Sequence, residues 1–534
     1  MHTKTSKFQN KSSLILVFQL IITCFCLPLF AQELPNNWHN LDPINDQYMG
    51  TSTNKALNSL LKNKKPETVI VAVIDGGVEV DHPDLEGVIW TNSKEIPNNG
   101  IDDDQNGYVD DIHGWDFIGG AKGDVNDDTY ELTRQYLLNK KRFENNIQLQ
   151  KSDKEGFKVY KQLKAKYEQD LKNNQKKQEA YKKIVDVLNL IQQQAKHDSV
   201  TIADLENFQP ADKKAISIKK QLLKALKNKV TFKECRKDVD DAYEHFDKAV
   251  KYNLNIDFEP RNLVGDDYNN LTEWQYGNNE VEGPKGDHGT HVSGIIGAVR
   301  DNKMGAEGVA NNVKIMALRV VPNGDERDKD IANAIRYAAQ NGAKIINMSF
   351  GKQYSPHKHL VDSAVKFALS KDVLFVHAAG NDGVNLDDKK NLFFPCANYQ
   401  NSTETAKNHW IEVGAIGPNG YPASFSNYGK NTVDLFAPGV HVYSTYPNFS
   451  YEHNDGTSMA APVVAGVAAL VRSYYPALSA AEVKEILLSS SFQWDQKLPI
   501  PGKKRGKKKL SDLCIAGGVV NTYNAFLFLD KLKK

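Results

Sequence analysis

Residues 68–77 read TVIVAVIDGG, a run of β-branched and small apolar side chains that ends in an aspartate and two glycines. The run does not alternate between apolar and polar residues, which is typical of a strand buried on both faces in a parallel sheet. Asp75 therefore stands at the carboxyl end of a central strand, where open α/β sheets place their functional sites. A buried acid at that position needs a partner, and a histidine donor is the natural one.

Strand and helix patterns alternate through the second half of the chain. We predict strands at residues 315–321 and 344–348 and from residue 373, with helical spacing at residues 331–338 and 361–368 between them. Two closing helices are predicted at residues 457–475 and 480–490. Such alternation indicates an α/β protein with a parallel central sheet that helices cover on both faces.

One serine lies where a loop turns into a long apolar helix. The segment GTSMAAP at residues 456–462 leads into a run rich in Ala and Val, so Ser458 stands near the helix N-terminus. Backbone N–H groups there are unpaired and point outward. That position suits a nucleophile whose attack creates an oxyanion, although capping the helix is the alternative role for such a serine.

A serine nucleophile needs a base, and the base needs an orienting acid. His288 lies in the segment DHGTHVSG at residues 287–294, again at the start of a helix with small residues. Small residues around a histidine let a second element approach it closely. Asp75, His288 and Ser458 are therefore the candidate acid, base and nucleophile.

The three segments together resemble the subtilisin-like serine proteases (subtilases). The match includes HPDL at residues 82–85 after Asp75, and the chain order Asp, His, Ser is that of subtilisin itself. The resemblance implies a three-layer subtilisin-like fold. It also implies a serine endopeptidase that works through an acyl-enzyme, with Asp75, His288 and Ser458 as the triad.

The resemblance further implies the groups that bind the oxyanion and the substrate. Residues 373–381 read VLFVHAAGN, and Asn381 is implied as the side-chain donor to the oxyanion. The segment IINMSFG at residues 345–351 resembles the edge that pairs with an extended peptide. The implied substrate-binding residues are Ser349, Phe350, Gly351, Ala379 and Gly380.

The preference for the residue before the scissile bond stays open. The segment FFP at residues 393–395 falls where the resemblance implies the pocket floor and a cis proline. A large Phe393 would shorten the pocket, whereas Asp382 near its mouth would favour a basic residue. The two effects oppose each other.

An acidic loop, NGIDDDQNGYVDD at residues 99–111, spaces oxygen ligands at alternate positions before a glycine. Side-chain oxygens at this spacing can surround a hard cation, although the glutamate that closes an EF-hand is missing. We predict a structural Ca²⁺ site in which Asp110 or Asp111 completes the set, and a plain acidic turn is the alternative. The predicted ligands are Asp102, Asp104, Asn106 and Asp110, and the resemblance adds Asp84, near residues 301–302, for a second site.

Residues 1–31 are typical of a secretory signal, because lysines precede an apolar run that ends at a small residue. We therefore expect a secreted or periplasmic protein with no transmembrane span after signal cleavage, while an uncleaved anchor and lipidation of Cys24 stay open. Three cysteines would remain in the mature chain, which excludes a disulfide framework. The net charge of +1 does not indicate nucleic acid, so we expect protein or peptide substrates.

The segment 121–275 differs in composition from the rest of the chain. It is rich in Lys, Glu, Gln and Asn, and it has no glycine between Gly156 and Gly265. Apolar residues at helical spacing predict a helical hairpin or small bundle. The heptads are too few and broken for a coiled coil, so we expect a monomer.

This charged helical insertion would divide the catalytic domain into residues 32–120 and 276–528, with a tail at residues 529–534. The stretch between Ala31 and Val69 is too short for the folding propeptide that the resemblance implies. Either the protein folds unaided, or the insertion or a partner takes the place of a propeptide. Our hypothesis is that the insertion lies over the cleft and restrains activity.

Overall fold

The computed structural model describes residues 34–197 and 199–532, so the predicted signal peptide at residues 1–31 lies outside the described residues. The strands are β1 (Val69–Asp75), β2 (Gly114–Asp116), β3 (Val313–Arg319), β4 (Ile345–Met348), β5 (Leu374–Ala378), β6 (Trp410–Ile416), β7 (Leu435–Pro438), β8 (Val442–Tyr446), β9 (Ser450–Asn454), β10 (Phe492–Gln493), β11 (Leu498–Pro499), β12 (Lys507–Lys508) and β13 (Gly518–Val519).

The helices follow the same chain order. They are α1 (Thr53–Asn58), α2 (Glu131–Phe143), α3 (Ile147–Ser152), α4 (Lys154–Ala195), α5 (Ile202–Asn207), α6 (Lys213–Lys227), α7 (Phe232–Lys248), α8 (Asp287–Gly297), α9 (Asp328–Gln340), α10 (Lys358–Ser370), α11 (Thr457–Tyr474), α12 (Ala480–Ser489) and α13 (Thr522–Leu532). A π-helical turn, Ala249–Asn253, extends α7.

A nine-stranded sheet has the order β10-β13-β7-β6-β5-β4-β1-β3-β2. All neighbours in it pair in parallel except β10 and β13, which are antiparallel. β1 is central and pairs with β3 from Val69 opposite Val313 to Asp75 opposite Arg319. The predicted α/β class with a parallel central sheet is confirmed.

Helices cover both faces of this sheet. Side chains of a strand alternate between its faces, and Ala72 and Ile74 of β1 share one core cluster with buried residues of α9 and α10. Helix α11 contacts β4, β5, β6 and β7 as well as α8. The resulting helix, sheet and helix layers put the start of α8 and the start of α11 near the carboxyl ends of the central strands.

Helices α2 to α7 lie in the segment that the sequence marks as an insertion. Helix α4 has 42 residues, and it packs against α2 on one part of its length and α7 on another. The two ends of this helical segment meet, because Tyr130 N–H donates to Asn253 O at 2.9 Å and Asn253 Nδ2 donates to Asp128 O at 2.8 Å. The chain therefore leaves the catalytic part and returns to it at one point.

The boundaries drawn from composition stay predictions. Helix α13 runs to Leu532, four residues into the segment predicted as a tail, and Leu529 is buried. Across residues 34–197 and 199–532, every helix is too short or too polar to cross a lipid bilayer.

Candidate active site

The predicted acid and base lie in contact. Asp75 is the last residue of β1, and His288 is the second residue of α8. His288 Nδ1–H donates to Asp75 Oδ1 at 2.7 Å, and the N–H of Gly76 donates to the same oxygen at 2.7 Å. The Asp75 side chain is 2% exposed and that of His288 is 39% exposed. The contact fixes the tautomer of the ring, so Nε2 is left to accept a proton.

Two opposing effects set the pKa of His288. Burial disfavours the charged ring and lowers its pKa, while the charge of Asp75 and the hydrogen bond to it raise the pKa. The attraction outweighs burial, so the pKa of His288 lies above its ordinary value. The ring is therefore a stronger base than a free imidazole.

The predicted nucleophile is the second residue of α11. Ser458 Oγ donates to the backbone oxygen of Ser349 at 3.0 Å, and within the described part of the chain it makes no hydrogen bond to His288. The backbone N–H of Ser458 lies in the first helical turn, where no intrahelical acceptor exists. The backbone oxygen of Ser458 accepts from Ser349 Oγ at 2.9 Å, so the serine and the predicted substrate edge are joined by two hydrogen bonds.

Asn381 has a fixed orientation beside the serine. Its Oδ1 accepts from the backbone N–H and from Oγ1 of Thr457, both at 2.9 Å. A backbone N–H can only donate, so the oxygen must face Thr457 and the Nδ2 group is free to donate on the opposite side. Gly380 before it has a φ of +96°, and a Cβ there would lie 2.6 Å from Asn427 Nδ2. This position therefore requires glycine.

A hollow with a volume of about 540 Å³ contains Ser458. We name it the serine hollow. Catalytic-domain residues predicted to bind substrate or the oxyanion line it, namely Ser349, Phe350, Gly351, Gly380 and Asn381, together with Asp382 and Phe393. Ala379 does not line it, and the neighbouring Ala378 does. The Phe394–Pro395 peptide is cis, as the resemblance implies.

The sequence predicts that the insertion lies over the cleft, but it does not identify which side chains of the insertion line this hollow. Tyr130, Leu132, Lys166 and Asp170, which lie at the start of α2 and in α4, line the serine hollow as well. Lys166 and Asp170 form an ion pair at 2.9 Å. No sequence pattern marks these side chains, because their place depends on how α2 and α4 pack.

A second hollow, of about 400 Å³, contains Asp75 and His288. We name it the histidine hollow. Ser349 and Phe350 separate it from the serine hollow, because both residues line both spaces. Its other wall belongs to α7, which contributes Asp241, Glu244, His245 and Lys248. The helical segment thus borders both parts of the cleft.

The model of the Subtilase family matches residues 67–517, a range that contains all three predicted triad residues. The chain belongs to the subtilase family. It is therefore a subtilisin-like serine endopeptidase, which confirms the family and the enzyme class expected from the sequence.

This subtilase resembles subtilisin DY of Bacillus licheniformis, with 40% identity over 205 residues that cover 38% of this chain and 70% of that protein. It is 43% identical to the thermophilic serine proteinase of Bacillus sp. (strain AK1) over 187 residues, which cover 35% of this chain and 42% of that protein. A solved protease of Pseudoalteromonas arctica PAMC 21717 matches with a TM-score of 0.39 and 28% identity, covering 47% of this chain and 78% of that one.

In the acidic loop of this subtilase, three carboxylates converge. Glu95, Asp102 and Asp104 each offer an oxygen within 4.8 Å of the others, and we name them the carboxylate cluster. Sequence spacing predicted the two aspartates but missed Glu95. Asn106 Nδ2 instead donates to Asp111 Oδ2 at 2.9 Å.

Two other predicted ligands have backbone partners. Asp110 accepts from the N–H groups of Asn99 at 3.2 Å and Gly100 at 2.9 Å, and it is not part of the carboxylate cluster. Asp84 is fully buried and accepts from Asn302 Nδ2 at 2.6 Å and from Ala306 N–H at 2.8 Å. The predicted closeness of Asp84 to Asn302 is therefore present.

Proposed function

We propose that this subtilase hydrolyses peptide bonds of proteins or peptides through the triad Asp75, His288 and Ser458. The contact of 2.7 Å between His288 Nδ1 and Asp75 Oδ1 carries the proposal. The Ser458 hydroxyl leaves the carbonyl of Ser349, gives its proton to His288 Nε2 and attacks the substrate carbonyl carbon. The imidazolium then protonates the leaving amine, and an acyl-enzyme forms that water hydrolyses by the same proton transfers in reverse.

The oxyanion that forms in each step needs donors that are already in place. Asn381 Nδ2 and the backbone N–H of Ser458 are the proposed pair. The fixed orientation of Asn381, whose Oδ1 faces Thr457, supports this assignment because the donor cannot turn away. Loss of such a side-chain donor costs about 10²–10³-fold in kcat, a magnitude established on subtilisin itself.

The substrate is proposed to bind as an added strand along Ser349, Phe350 and Gly351. Pairing through backbone groups allows many substrate sequences. All three residues line the serine hollow, and Ser349 and Phe350 also line the histidine hollow, which supports this mode of binding. Gly380 lines the serine hollow beside this edge, and the neighbouring Ala379 is buried and does not line it. A broad endopeptidase preference follows.

Labelling with a fluorophosphonate probe tests the chemistry. We expect the probe to label the wild-type protein and to leave Ser458→Ala unlabelled. Ser293→Ala is the matched control, because Ser293 is a fully buried serine in α8 and its loss should leave labelling intact. Absence of labelling of the folded protein, with or without calcium, would instead identify a catalytically silent scaffold.

We propose that the protein is exported by residues 1–31 and acts in the periplasm or outside the cell. The secreted subtilisins among its relatives support export. Fractionation of producing cells, with N-terminal sequencing of the mature protein, tests this. A protein that keeps its first residues and stays in the cytoplasm would contradict it.

We propose that the carboxylate cluster binds a structural Ca²⁺. Three carboxylate oxygens within 4.8 Å of one another suit a hard cation, and Lys94 Nζ, which lies 3.6 Å from Asp104, belongs to a side chain that is 71% exposed. A metal that binds only the native state must stabilise it. Chelation should therefore lower the melting temperature of the wild type but not of Asp104→Asn. An equal fall in melting temperature in both proteins would show that the carboxylate cluster is not the calcium site.

We also propose that the helical insertion restrains access to the cleft. It borders both hollows, and it is fastened beside them where Glu131 of α2 lies 3.6 Å from Lys352 and Glu244 of α7 lies 3.1 Å from Lys285. Restraint of this kind should act more strongly on a folded protein than on a small ester.

Since the two ends of the insertion meet, a short Gly-Ser linker can join Tyr130 to Asn253 in place of residues 131–252. We expect this variant to cleave protein substrates faster than the wild type, while turnover of a small ester changes less. Unchanged turnover of both substrates by the folded variant would end this proposal.

A further inference from the structure

A second buried histidine contacts the substrate edge from behind. His377 lies in β5 and is completely buried. Its Nδ1 is 2.9 Å from Glu412 Oε1, and its Nε2 is 2.9 Å from the backbone oxygen of Phe350. A carboxylate and a carbonyl oxygen can only accept. To make both hydrogen bonds, the ring must donate from both nitrogens, and it is then an imidazolium.

The surroundings of His377 favour that charged form. Burial lowers the pKa of His377, but the charge of Glu412, the hydrogen bonds to Glu412 and Phe350, and the charge of Glu326 raise it above its ordinary value. Glu412 is itself held, because its Oε2 accepts from Trp410 Nε1 at 2.9 Å.

Two further charged groups lie behind Glu412 on neighbouring elements. Glu412 N–H donates to Asp434 Oδ2 at 2.8 Å, and Asp434 is paired with Lys484 at 2.6 Å. The pair of His377 and Glu412 therefore joins β5 and β6 to the segment that follows β4.

Phe350 is the middle residue of the proposed substrate edge. In an extended strand the N–H and C=O of one residue point to one side, and those of its neighbours point to the other. Holding the Phe350 carbonyl inward therefore turns the backbone groups of Ser349 and Gly351 outward, toward the cleft. The backbone oxygen of Ser349 does face that side, since it accepts from Ser458 Oγ.

We propose that His377, as an imidazolium paired with Glu412, is a positioning residue that holds the substrate edge 349–351 in register with Ser458. This inference rests on the proposed function, because it assigns a role in peptide binding to a side chain that never touches the peptide. Loss of the charged hydrogen bond loosens the edge, and an extended substrate then binds less tightly while the triad is unchanged.

Steady-state kinetics of Glu412→Gln and His377→Gln separate positioning from general damage. We expect KM for an extended peptide to rise about 10-fold, the scale of one charged hydrogen bond, with kcat changed less than about twofold. His39→Gln is the matched control, because His39 is also buried and its Nε2 is 3.2 Å from the Glu307 carbonyl. An equal change in the control, or a loss in kcat alone, would refute the positioning role.

The pH dependence of KM gives a readout that plain packing would not move. In the wild type KM should rise as the pH passes through the raised pKa of His377, because the ring then loses its proton and one of its two hydrogen bonds. In Glu412→Gln the charge that raises the pKa is gone, so the rise should move to lower pH. Identical profiles in the two proteins would overturn the proposal.

Binding without turnover keeps this inference separate from the proposed chemistry. In a Ser458→Ala background, fluorescence anisotropy with labelled oxidised insulin B chain measures peptide affinity directly. Weaker binding after His377→Gln, with unchanged binding after His39→Gln, supports the positioning role even if wild-type labelling by fluorophosphonate fails. Equal affinity in all three proteins refutes it, even if that labelling succeeds.

Discussion

Replacing Glu131 with glutamine removes a single buried charge between the insertion and the cleft. Glu131 is the first residue of α2, and its side chain is 2% exposed. Its Oε2 lies 2.7 Å from Arg134 Nη2 and 3.6 Å from Lys352 Nζ. Lys352 directly follows the substrate edge. Glu131→Gln therefore weakens the contact that holds the insertion beside the proposed peptide-binding residues.

The size of the effect follows from the pKa of Glu131. Burial alone raises this pKa, but Arg134 and Lys352 outweigh burial and lower it from 4.5 to about 2. A shift of this size corresponds to about 3 kcal/mol of stability. Because the folded-state pKa is lowered, the contribution is complete above pH 4.5 and is lost as the pH falls toward 2.

Urea unfolding in a Ser458→Ala background, which prevents autolysis, measures the difference. We expect Glu131→Gln to lower the free energy of unfolding by about 3 kcal/mol at pH 7 and by less below pH 4.5. Glu144→Gln is the control on the same segment, since Glu144 forms a surface pair with Lys140 at 3.7 Å that is worth at most about 0.5 kcal/mol. Equal losses in both variants, or a loss independent of pH, would refute the reasoning.

Three further outcomes are expected. Gly380→Ala forces a Cβ to within 2.6 Å of Asn427 Nδ2 at a φ of +96°, and the displaced loop should lower kcat by about 10- to 100-fold at an unchanged concentration of titrated sites. The pH profile of kcat/KM should rise with a midpoint above 6.5, because Asp75 raises the pKa of His288; a midpoint below that value contradicts this. Phe393→Ala should favour larger residues before the scissile bond by about 10-fold or more, and an unchanged preference in a peptide library contradicts a filled pocket floor.

The central elements were predictable from sequence because their patterns are local. The β-branched run ending in Asp75 became β1, and the run rich in Ala and Val after Ser458 became α11, the predicted helix ending one residue earlier than expected. Both segments are buried on every side, so composition alone identifies them. The pairing of Asp75 with His288 was expected because a buried acid needs a donor, and the family resemblance implied the same pair.

What the sequence missed depends on packing between distant segments. The apolar spacing around Ile184 and Leu188 predicts a helix but not the element against which it docks, so the side chains of the insertion that line the two hollows could not be identified. Glu95 was missed because it lies outside the regular spacing of the acidic loop. His377 was part of a correctly predicted strand, but its two acceptors come from β6 and from the segment after β4.

The meeting of the two ends of the insertion bears on the order in which the chain folds. β1 must find β3 at residues 313–319, and closing so long a loop costs chain entropy that grows with its length. Helices form from local contacts and need no such search. A prefolded insertion, tied at Tyr130 and Asn253, shortens the loop that must close when β1 pairs with β3. Asn253→Ala should then slow refolding more than it speeds unfolding. The insertion, which separates Asp75 from His288 in sequence, would then help to bring these two residues together during folding.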